Sequence, residues 1–415
     1  MPFETLKKSH LKRNIIIGVL IVGIIAAIIL NFTRAKYRVT ESIPLVNGTI
    51  NYSPGDIIIS AYFNGELLET FPTKDDGYAV ETVTCDKGAS ATFDEEEWKV
   101  KIDNLVTKGT KCNITFVEKV SAKDTILANY PTVLTRTDFT TLVTDTTTGT
   151  IYKSHDSSQY DNDGEVYYFA GNPTDNWVEF GGYWWRIIRI NGDGTIRMIY
   201  QGTSANTTGG GTQTGTSSFN SEYDASHLVG YTYTEYQQRP ASPNSGIDSV
   251  IKKYLEEWYN SHLLSFENSI ASSSFCNDRN VGKDSTWKPA GNGVVYAFRE
   301  REENSSPTFK CQNQNDIYTL KIGLLIGDEA IFAGATFGQY NQQYYLYTRQ
   351  DYWTMSPYYV NNGGNAGNAY IANHGDVSRT LVNDSLGVRP VINLKADIKL
   401  TGSGTTTDPY RVEGA

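Results

Sequence analysis

The feature that most constrains this chain is an unbroken apolar run near its start, Ile15 to Leu30 (IIIGVLIVGIIAAIIL). A helix over these 16 residues spans about 24 Å, slightly less than the roughly 30 Å of a bilayer core. The flanking Lys12, Arg13 and Arg34 reach the lipid headgroups and make up the difference. The run therefore predicts a transmembrane anchor helix over residues 15–32, preceded by a cytoplasmic stub, residues 1–14.

A cleaved signal peptide is the alternative interpretation of the run. The apolar core of a signal peptide has about 7–15 residues and ends in a small-x-small cleavage site. The residues that follow the run here, Asn31 to Ala35 (NFTRA), are a poor version of such a site. We therefore favour an anchor that stays in the membrane lipid.

Charge and mass indicate the orientation of the anchor. Residues 1–38 carry seven basic residues and one acidic residue, whereas the rest of the chain carries 29 basic and 45 acidic ones. Nearly all of the mass follows the run, so we expect a cytoplasmic N-terminus and an extracellular C-terminal ectodomain. The formal net charge of −10 does not fit a general nucleic-acid binder, and no nucleic-acid partner is predicted.

Four cysteines support a location outside the cytosol. Cys85 and Cys112 form one local pair and Cys276 and Cys311 another, and none belongs to a CxxC motif or a Cys/His cluster. Two disulfides, Cys85–Cys112 and Cys276–Cys311, are the economical prediction for an oxidising compartment. Four buried free thiols, which suit a cytosolic protein better, are the alternative.

Residues 40–122 contain short alternating apolar runs separated by turn signals. The first run, Asp56 to Phe63 (DIIISAYF), is followed by Asn64-Gly65, a strong signal for a two-residue β-hairpin turn. The pattern predicts about six or seven short strands, typical of a small antiparallel β-sandwich, which we interpret as a stalk. The Thr-rich residues 123–150 predict a polar connector.

Residues 151–415 are predicted to form a head domain with a long aromatic hairpin and one amphipathic helix. The hairpin is Tyr183 to Tyr200 (YWWRIIRINGDGTIRMIY). Apolar residues from Ile247 to Leu263 recur at helical spacing, with Ser245 or Asp248 as the expected cap. The predicted fold class is therefore α+β and β-rich.

Three further features of the head are predicted from local sequence. A short helix is expected from Asp328 to Ala333, with Asp328 at its N-cap. Trp353 is expected to pack in the core, and Arg389 to pair with an acidic residue.

Several segments of the head occur together and in order in a known family. They are the aromatic hairpin, FCNDR, GLLIGDEAIFAGA, YWTMSP and GVRPVINLKADIKLTGSGTTTDPY. Over about residues 120–410 the chain resembles a large family of uncharacterised, membrane-anchored bacterial surface proteins. The resemblance implies a C-terminal C-type-lectin-like domain, in the branch that includes formylglycine-generating enzymes. It implies a fold and not an activity.

The sequence contains no motif that predicts catalysis. The formylglycine-generating branch relies on cysteines late in the domain, and none follows Cys311. The histidines lie outside any GxSxG-like context, and no P-loop or GxGxxG signature occurs. We therefore predict neither an enzyme nor a cofactor.

The acidic turn at residues 161–165 (DNDGE) allows a second interpretation, as a calcium site. Asp161, Asp163 and Glu165 would supply the oxygen ligands. The turn lacks the twelve-residue spacing of a complete calcium loop, so a polar β-turn is the preferred interpretation. The EPN, QPD and WND triplets of calcium-dependent sugar-binding lectins are also absent from the sequence.

Two late stretches are dominated by Tyr, Asn, Gly and Gln: residues 339–347 (QYNQQYYLY) and 358–376 (YYVNNGGNAGNAYIANHGD). Tyr supplies rigid contact area and Asn and Gly supply adaptable hydrogen bonds, a mixture found in antibody binding sites. The resemblance implies that late loops form the ligand face. The predicted ligand-binding residues are Tyr340, Tyr344, Tyr345, Tyr358, Tyr359, Asn361, Asn362, Asn365, Asn368, Tyr370, Asn373 and His374. The alternative is a Gly/Asn loop with half-buried tyrosines.

These features predict a non-enzymatic, single-pass adhesion protein of the cell surface whose head binds an extracellular protein or glycan. The abundance of Asn adds the hypothesis of a binding surface diversified by adenine-mutating retroelements, which target Asn codons. The alternatives are an extracytoplasmic enzyme with an unrecognised site in the head, and a structural, pilus-like component of the envelope.

Overall fold

The computed structural model describes residues 57–95, 97–104, 109–290 and 293–414, and the chain divides into two compact units, residues 1–119 and 120–415. Its described part is β-rich α+β with several sheets, as predicted. The predicted stub and anchor, residues 1–14 and 15–32, lie outside the described residues. Within the described ranges, no helix has the length and apolar character needed to cross a membrane.

In its described residues, the first unit consists of six strands. They are β1 (Ile57–Phe63), β2 (Glu66–Leu67), β3 (Tyr78–Cys85), β4 (Ser90–Asp94), β5 (Lys99–Asn104) and β6 (Thr110–Glu118). Asn64 and Gly65 both adopt positive φ angles, 50° and 82°, and connect β1 to its antiparallel neighbour β2. The hairpin turn predicted from Asn64-Gly65 is thus confirmed.

The strands of the first unit form a mixed sheet in the order β2-β1-β6-β3 and a separate β4–β5 hairpin. A small core joins the two through Ala61, Ile114 and Phe116 of the sheet and Val100 of the hairpin. β6 is antiparallel to β3 but parallel to β1, so the prediction of a wholly antiparallel sandwich is wrong. The chain returns after the hairpin and inserts β6 between earlier strands, and an alternating apolar pattern does not encode the direction of a partner strand.

Both predicted disulfides are present. Cys85–Cys112 joins two directly paired positions of β3 and β6. Cys276–Cys311 lies in the second unit. The alternative of four free thiols is therefore excluded by the structure.

The second unit contains four α-helices in its described residues: α1 (Ala122–Ala128), α2 (Val250–His262), α3 (Ala297–Glu303) and α4 (Gly327–Ala333). Its first strands are β7 (Thr132–Thr135), β8 (Thr146–Thr147), β9 (Thr150–Lys153), β10 (Tyr167–Tyr168), β11 (Asn172–Pro173), β12 (Trp177–Phe180), β13 (Tyr183–Ile190), β14 (Ile196–Gly202), β15 (Gly215–Ser217), β16 (Thr232–Tyr233) and β17 (Ile247–Asp248). The later strands are β18 (Ser273–Cys276), β19 (Val294–Val295), β20 (Ile317–Leu320), β21 (Ile322–Gly323), β22 (Tyr352–Val360), β23 (Ala366–Ile371), β24 (Val377–Leu381), β25 (Leu386–Val388), β26 (Val391–Leu394), β27 (Leu400–Thr401) and β28 (Tyr410–Val412).

Two sheets dominate the described part of the second unit. The larger follows the path β21-β26-β14-β13-β10-β9-β7, with β12, β28 and β27 attached beside β13. The smaller follows β15-β25-β22-β23-β24, with β19 paired to β22. The predicted aromatic hairpin is β13–β14, and the Tyr- and Asn-rich stretch 358–376 falls on the hairpin β22–β23 and the turn beyond it.

Residues 123–150 belong to the second unit, so the prediction of a connector there is wrong. Ser121 caps α1 by accepting a hydrogen bond from the backbone N–H of Asp124, at 3.1 Å. β7 pairs in parallel with β9, and Tyr130 and Phe139 are buried in the core of this unit. A few apolar side chains between the threonines therefore outweigh the polar composition of the stretch.

Both helices predicted in the head are present, but each begins with a different cap. Ser249 caps α2 by accepting from the N–H of Lys252 at 3.2 Å, in place of Ser245 or Asp248. At α4, the side chain of Glu329 accepts from the N–H of Ile326 at 2.9 Å. Asp328 is not the cap, because its carboxylate accepts hydrogen bonds from Nε and Nη2 of Arg301, at 2.9 and 2.8 Å.

Glu329 is also the centre of a buried charge cluster. Its Oε1 lies 3.0 Å from Nε of Arg189 on β13 and 2.5 Å from Nε of Arg197 on β14. Arg189 in turn places Nη1 3.3 Å from Oδ2 of Asp161. The cluster fastens α4 and the turn at Asp161 to the large sheet.

Trp353 packs in the core as predicted, but the partners predicted for Arg389 are wrong. Trp353 is fully buried and donates its indole N–H to the carbonyl of Ser217 at 2.8 Å. The buried Arg389 donates to the carbonyl of Tyr200 through Nε and Nη2, at 3.1 and 3.0 Å. In the described residues it makes no ion pair, because carbonyl and amide oxygens already occupy its donors.

The disulfide of the first unit generates a stability prediction. Replacing Cys85 and Cys112 by Ala removes a cross-link over 27 residues, and should lower the free energy of unfolding of this unit by about 3–4 kcal/mol. Hydrogen exchange measured by mass spectrometry should show faster exchange in β1, β3 and β6. The Cys276→Ala/Cys311→Ala variant is the control and should leave these strands protected; equal loss of protection in both variants would contradict the prediction.

Candidate functional site

The structure distributes the twelve predicted ligand-binding residues over three environments. Exposed residues are Tyr340, Asn362, Asn373 and His374; half-buried residues are Tyr359, Asn361, Asn365 and Tyr370; buried residues are Tyr344, Tyr345, Tyr358 and Asn368. The twelve residues therefore do not form a single continuous face.

The four buried residues are core residues, which corrects their assignment to an exposed ligand face. Tyr344 and Tyr345 pack into the main core of the second unit. Tyr358 donates its hydroxyl to Oε2 of the buried Glu302 at 2.7 Å, and Asn368 donates to the carbonyl of Val229 at 3.3 Å. Tyr358 lies on β22, whose nine residues are all buried or half-buried, and Tyr344 and Tyr345 lie in the loop before it, so a high Tyr content does not by itself indicate exposure.

The remaining residues separate to opposite ends of the β22–β23 hairpin. Asn361, Asn362 and Asn365 lie in the turn that links β22 to β23, whereas Asn373 and His374 lie beyond the far end of β23. The six residues of β23 that separate these ends span about 20 Å. Within the turn, Oδ1 of Asn361 accepts from the N–H groups of Gly363 and Asn365, at 2.9 and 3.0 Å, so this Asn shapes the turn itself.

One end of the hairpin carries an exposed cluster of aromatic and amide side chains. The rings of Tyr340 and His374 stack with centroids 4.8 Å apart and an interplanar angle of 21°. Tyr340 is 64 % exposed and Phe337 is 45 % exposed. We call this cluster the Tyr340 patch; it consists of Phe337, Gln339, Tyr340, Asn373 and His374, all exposed.

Hydrogen bonds from two buried residues fix the loop that carries Tyr340. Buried Asn341 donates to the carbonyls of Val143 and Gly334, at 2.9 and 3.0 Å. Thr336 donates its hydroxyl to the carbonyl of Phe139 at 2.8 Å. The exposed rings therefore stand on a loop fixed at both ends, which limits the conformational entropy lost on binding.

Gly375 brings His374 to Tyr340. It has a φ angle of +86°, and a Cβ at this position would lie 1.8 Å from the carbonyl oxygen of Asn341. Only glycine allows the β23–β24 turn to approach the Tyr340 loop so closely. The turn is also fixed by the N–H of Asn373, which donates to Oδ1 of Asp351 at 2.7 Å.

Sequence reasoning missed Phe337 and Gln339 as members of the patch. Phe337 precedes the Tyr-rich stretch, and composition alone does not distinguish an exposed Phe from one in the core. Gly338, between Phe337 and Gln339, was the available sequence signal for a turn. It adopts a φ angle of +70°, and the turn exposes both of its neighbours.

Hydrogen-bond donors of the protein already occupy the carboxylate of Asp161. Oδ1 of Asp161 accepts from the N–H groups of Asp163 and Gly164, both at 2.9 Å. Oδ2 accepts from the N–H of Gly192 at 2.9 Å and from Arg189 at 3.3 Å. Because both oxygens of Asp161 are used, this geometry favours the β-turn over the calcium site.

The two neighbouring residues of the turn have other partners. Asn162 pairs with the backbone of Cys311, accepting from its N–H at 2.9 Å and donating to its carbonyl at 3.0 Å. Glu165 lies 3.3 Å from Lys153. In the part of the chain that the structure describes, no group of three or more His, Cys, Asp or Glu residues is arranged to hold a metal.

A buried carboxyl with an altered pKa lies behind β22. Glu302, on α3, is 2 % exposed, and its burial raises the pKa of the carboxyl to about 7. The hydrogen bond from Tyr358 opposes this shift but does not cancel it. Glu302 holds the hydroxyl of Tyr358 inside the core, which is a structural role.

Comparison of the chain with protein-family models, with curated proteins and with solved structures found no match. The geometry of the described residues is therefore the basis for the functional proposal.

Glu302 makes stability depend on pH. Its folded pKa lies above the ordinary value of 4.5, so the folded chain holds a proton that the unfolded chain has lost between pH 4.5 and about 7. Stability should fall as pH rises through this window. Glu302→Gln should remove that dependence and raise the free energy of unfolding by about 3 kcal/mol near pH 8.

Denaturant unfolding at a series of pH values measures this effect. Glu257→Gln, which changes an exposed carboxyl on α2 that does not act on Glu302, is the control and should leave the pH dependence in place. A Glu302→Gln variant less stable than the parent near pH 8 would contradict the assignment.

Proposed function

We propose that the chain is an extracytoplasmic, membrane-anchored recognition protein whose second unit binds a carbohydrate through the Tyr340 patch. The observation that carries the proposal is the stacked pair of Tyr340 and His374, displayed with Tyr340 64 % exposed on a loop fixed at both ends. The proposal includes the C-type-lectin-like architecture that the family resemblance implies for this unit.

The chemistry of the patch matches a sugar better than a charged ligand. Flat aromatic rings offer an apolar surface for the C–H face of a pyranose. The amides of Gln339 and Asn373 supply donors and acceptors for its hydroxyl groups. The five residues of the patch include no Asp, Glu, Lys or Arg, and the carboxylates beside it, Asp351 and Asp376, disfavour an anionic ligand.

The disulfides support the extracytoplasmic part of the proposal. Both cysteine pairs are oxidised, and structural disulfides persist in oxidising compartments and are rare in the cytosol. The apolar run at residues 15–30 is the basis for the proposed anchor in the cell membrane, with the second unit outside.

The test is a glycan array probed with the purified full chain, together with an array of cell-surface proteins. Tyr340→Ala should weaken binding at least about tenfold, because it removes the most exposed ring of the patch. Tyr236→Ala is a closely matched control, since Tyr236 is 66 % exposed, contacts the ring of His227 and lies outside the patch.

The Tyr236→Ala variant should bind as the parent chain does. Equal binding by the Tyr340→Ala and Tyr236→Ala variants would exclude the patch as the binding site. Binding to the protein array alone would contradict the choice of a carbohydrate as the ligand.

A further inference from the structure

The strand β7 lies at one end of the larger sheet of the second unit. It pairs in parallel with β9 on one side, and within the described residues no strand pairs with its other side. All four of its residues (TVLT) are exposed, Val133 by 44 % and Leu134 by 41 %. Side chains of a strand alternate between two faces, so both faces of the sheet are uncovered at this edge.

The backbone of β7 directs unpaired groups to the open side. The N–H of Thr132 donates to the carbonyl of Gly149, the residue before β9, at 3.2 Å. In a parallel pair, the N–H and C=O of one residue point to the neighbouring strand and those of the next residue point away. Thr132 and Leu134 therefore face β9, whereas Val133 and Thr135 each direct one donor and one acceptor to the open side.

The open edge lacks the charges that usually prevent strand edges from pairing. β7 contains no charged residue, and Lys153, which lies opposite Thr135 on β9, already lies 3.3 Å from Glu165. Val and Thr are β-branched residues, which favour pairing in a sheet. Pro131 precedes the strand and has no N–H to donate, so any added strand is confined to the length of β7.

The sequence of β7 fits a second copy of itself in antiparallel register. With Leu134 opposite Leu134 of the other copy, Val133 of each copy lies opposite Thr135 of the other. The outward groups of Val133 and Thr135 then all pair across the edge. A charged side chain at the central position would face its own like charge, and the apolar Leu134 avoids that repulsion.

We propose that β7 joins two copies of this chain by antiparallel pairing of their β7 strands across a two-fold axis at Leu134. The pairing makes one continuous sheet of the two larger sheets. Leu134 of both copies lies on the same face, beside Tyr152, its neighbour on β9. Each copy uses its open edge in this pair, so the assembly closes at two copies.

The size of the contact sets its strength. An interface centred on a four-residue strand is smaller than the roughly 1,200–2,000 Å² typical of stable complexes, so the pair dissociates readily in dilute solution. The pairing does not depend on carbohydrate binding at the Tyr340 patch, and each proposal can fail without the other.

Disulfide trapping of the purified full chain, at high protein concentration and with a mild oxidant, tests the register. Leu134→Cys places two thiols at a directly opposed pair whose Cα atoms lie about 4.5 Å apart, within the range of a disulfide. Val133→Cys is the matched control, because Val133 is as exposed as Leu134 but lies more than about 8 Å from Val133 of the other copy.

The Leu134→Cys variant should form a covalent dimer on non-reducing gels at least about tenfold faster than Val133→Cys does, since only its thiols lie within disulfide range. Equal rates for the two variants, or no covalent dimer from Leu134→Cys, would overturn the proposal.

Charged variants test the pairing without a cross-link. Leu134→Lys and Leu134→Glu each oppose like charges, so each alone should lower the association constant of the full chain at least about fivefold. Analytical ultracentrifugation in detergent measures this constant, and thermal melts confirm folding. An equimolar mixture of the two variants should restore association, because Lys then faces Glu.

Leu264→Lys is the control for these variants, because Leu264 is 49 % exposed and lies outside β7. It should associate as the parent chain does. A mixture that associates no better than either charged variant alone, a control weakened as much as Leu134→Lys, or a parent chain that stays monomeric at every concentration would overturn the proposal.

Discussion

The buried carboxylate of Glu329 is the contact on which the geometry of the second unit depends. One of its oxygens accepts from the N–H of Ile326, the residue before α4, and the other faces two arginines on the paired strands β13 and β14. Removing one partner from such a buried pair costs about 3–5 kcal/mol, because an uncompensated charge is left behind. The start of α4 and the pair of strands β13 and β14 are fixed by the same carboxylate, and the chain leaves α4 directly into the loop that carries Tyr340.

Features that depend on neighbours in sequence could be predicted from sequence. The turn at Asn64-Gly65, the hairpin β13–β14 and the helix α2 each express a short-range preference of backbone or periodicity. The two disulfides followed from the spacing of the cysteines, which form two local pairs, since no Cys/His cluster competed for them.

Features that depend on partners distant in the sequence could not be predicted from it. Tyr358 reads like a surface tyrosine, yet it meets Glu302, 56 residues earlier in the chain, inside the core. Arg389 satisfies its donors with carbonyls of Tyr200 and Leu346, which no charge pattern reveals. The candidate patch was predicted in part: Tyr340, Asn373 and His374 were identified by composition. Their separation from Asn361 and its turn required knowledge of which strand lies between them.

The exposure of the Tyr340 patch determines how it would generate affinity. The Tyr340 patch is exposed and uncharged, so a sugar that stacks there displaces little ordered solvent and gains modest free energy from one ring pair. A weak and exposed site becomes effective when several copies engage a multivalent surface together, because each later contact forms at a high effective concentration. On the proposed topology, the membrane anchor supplies that condition by holding many copies of the patch in one plane.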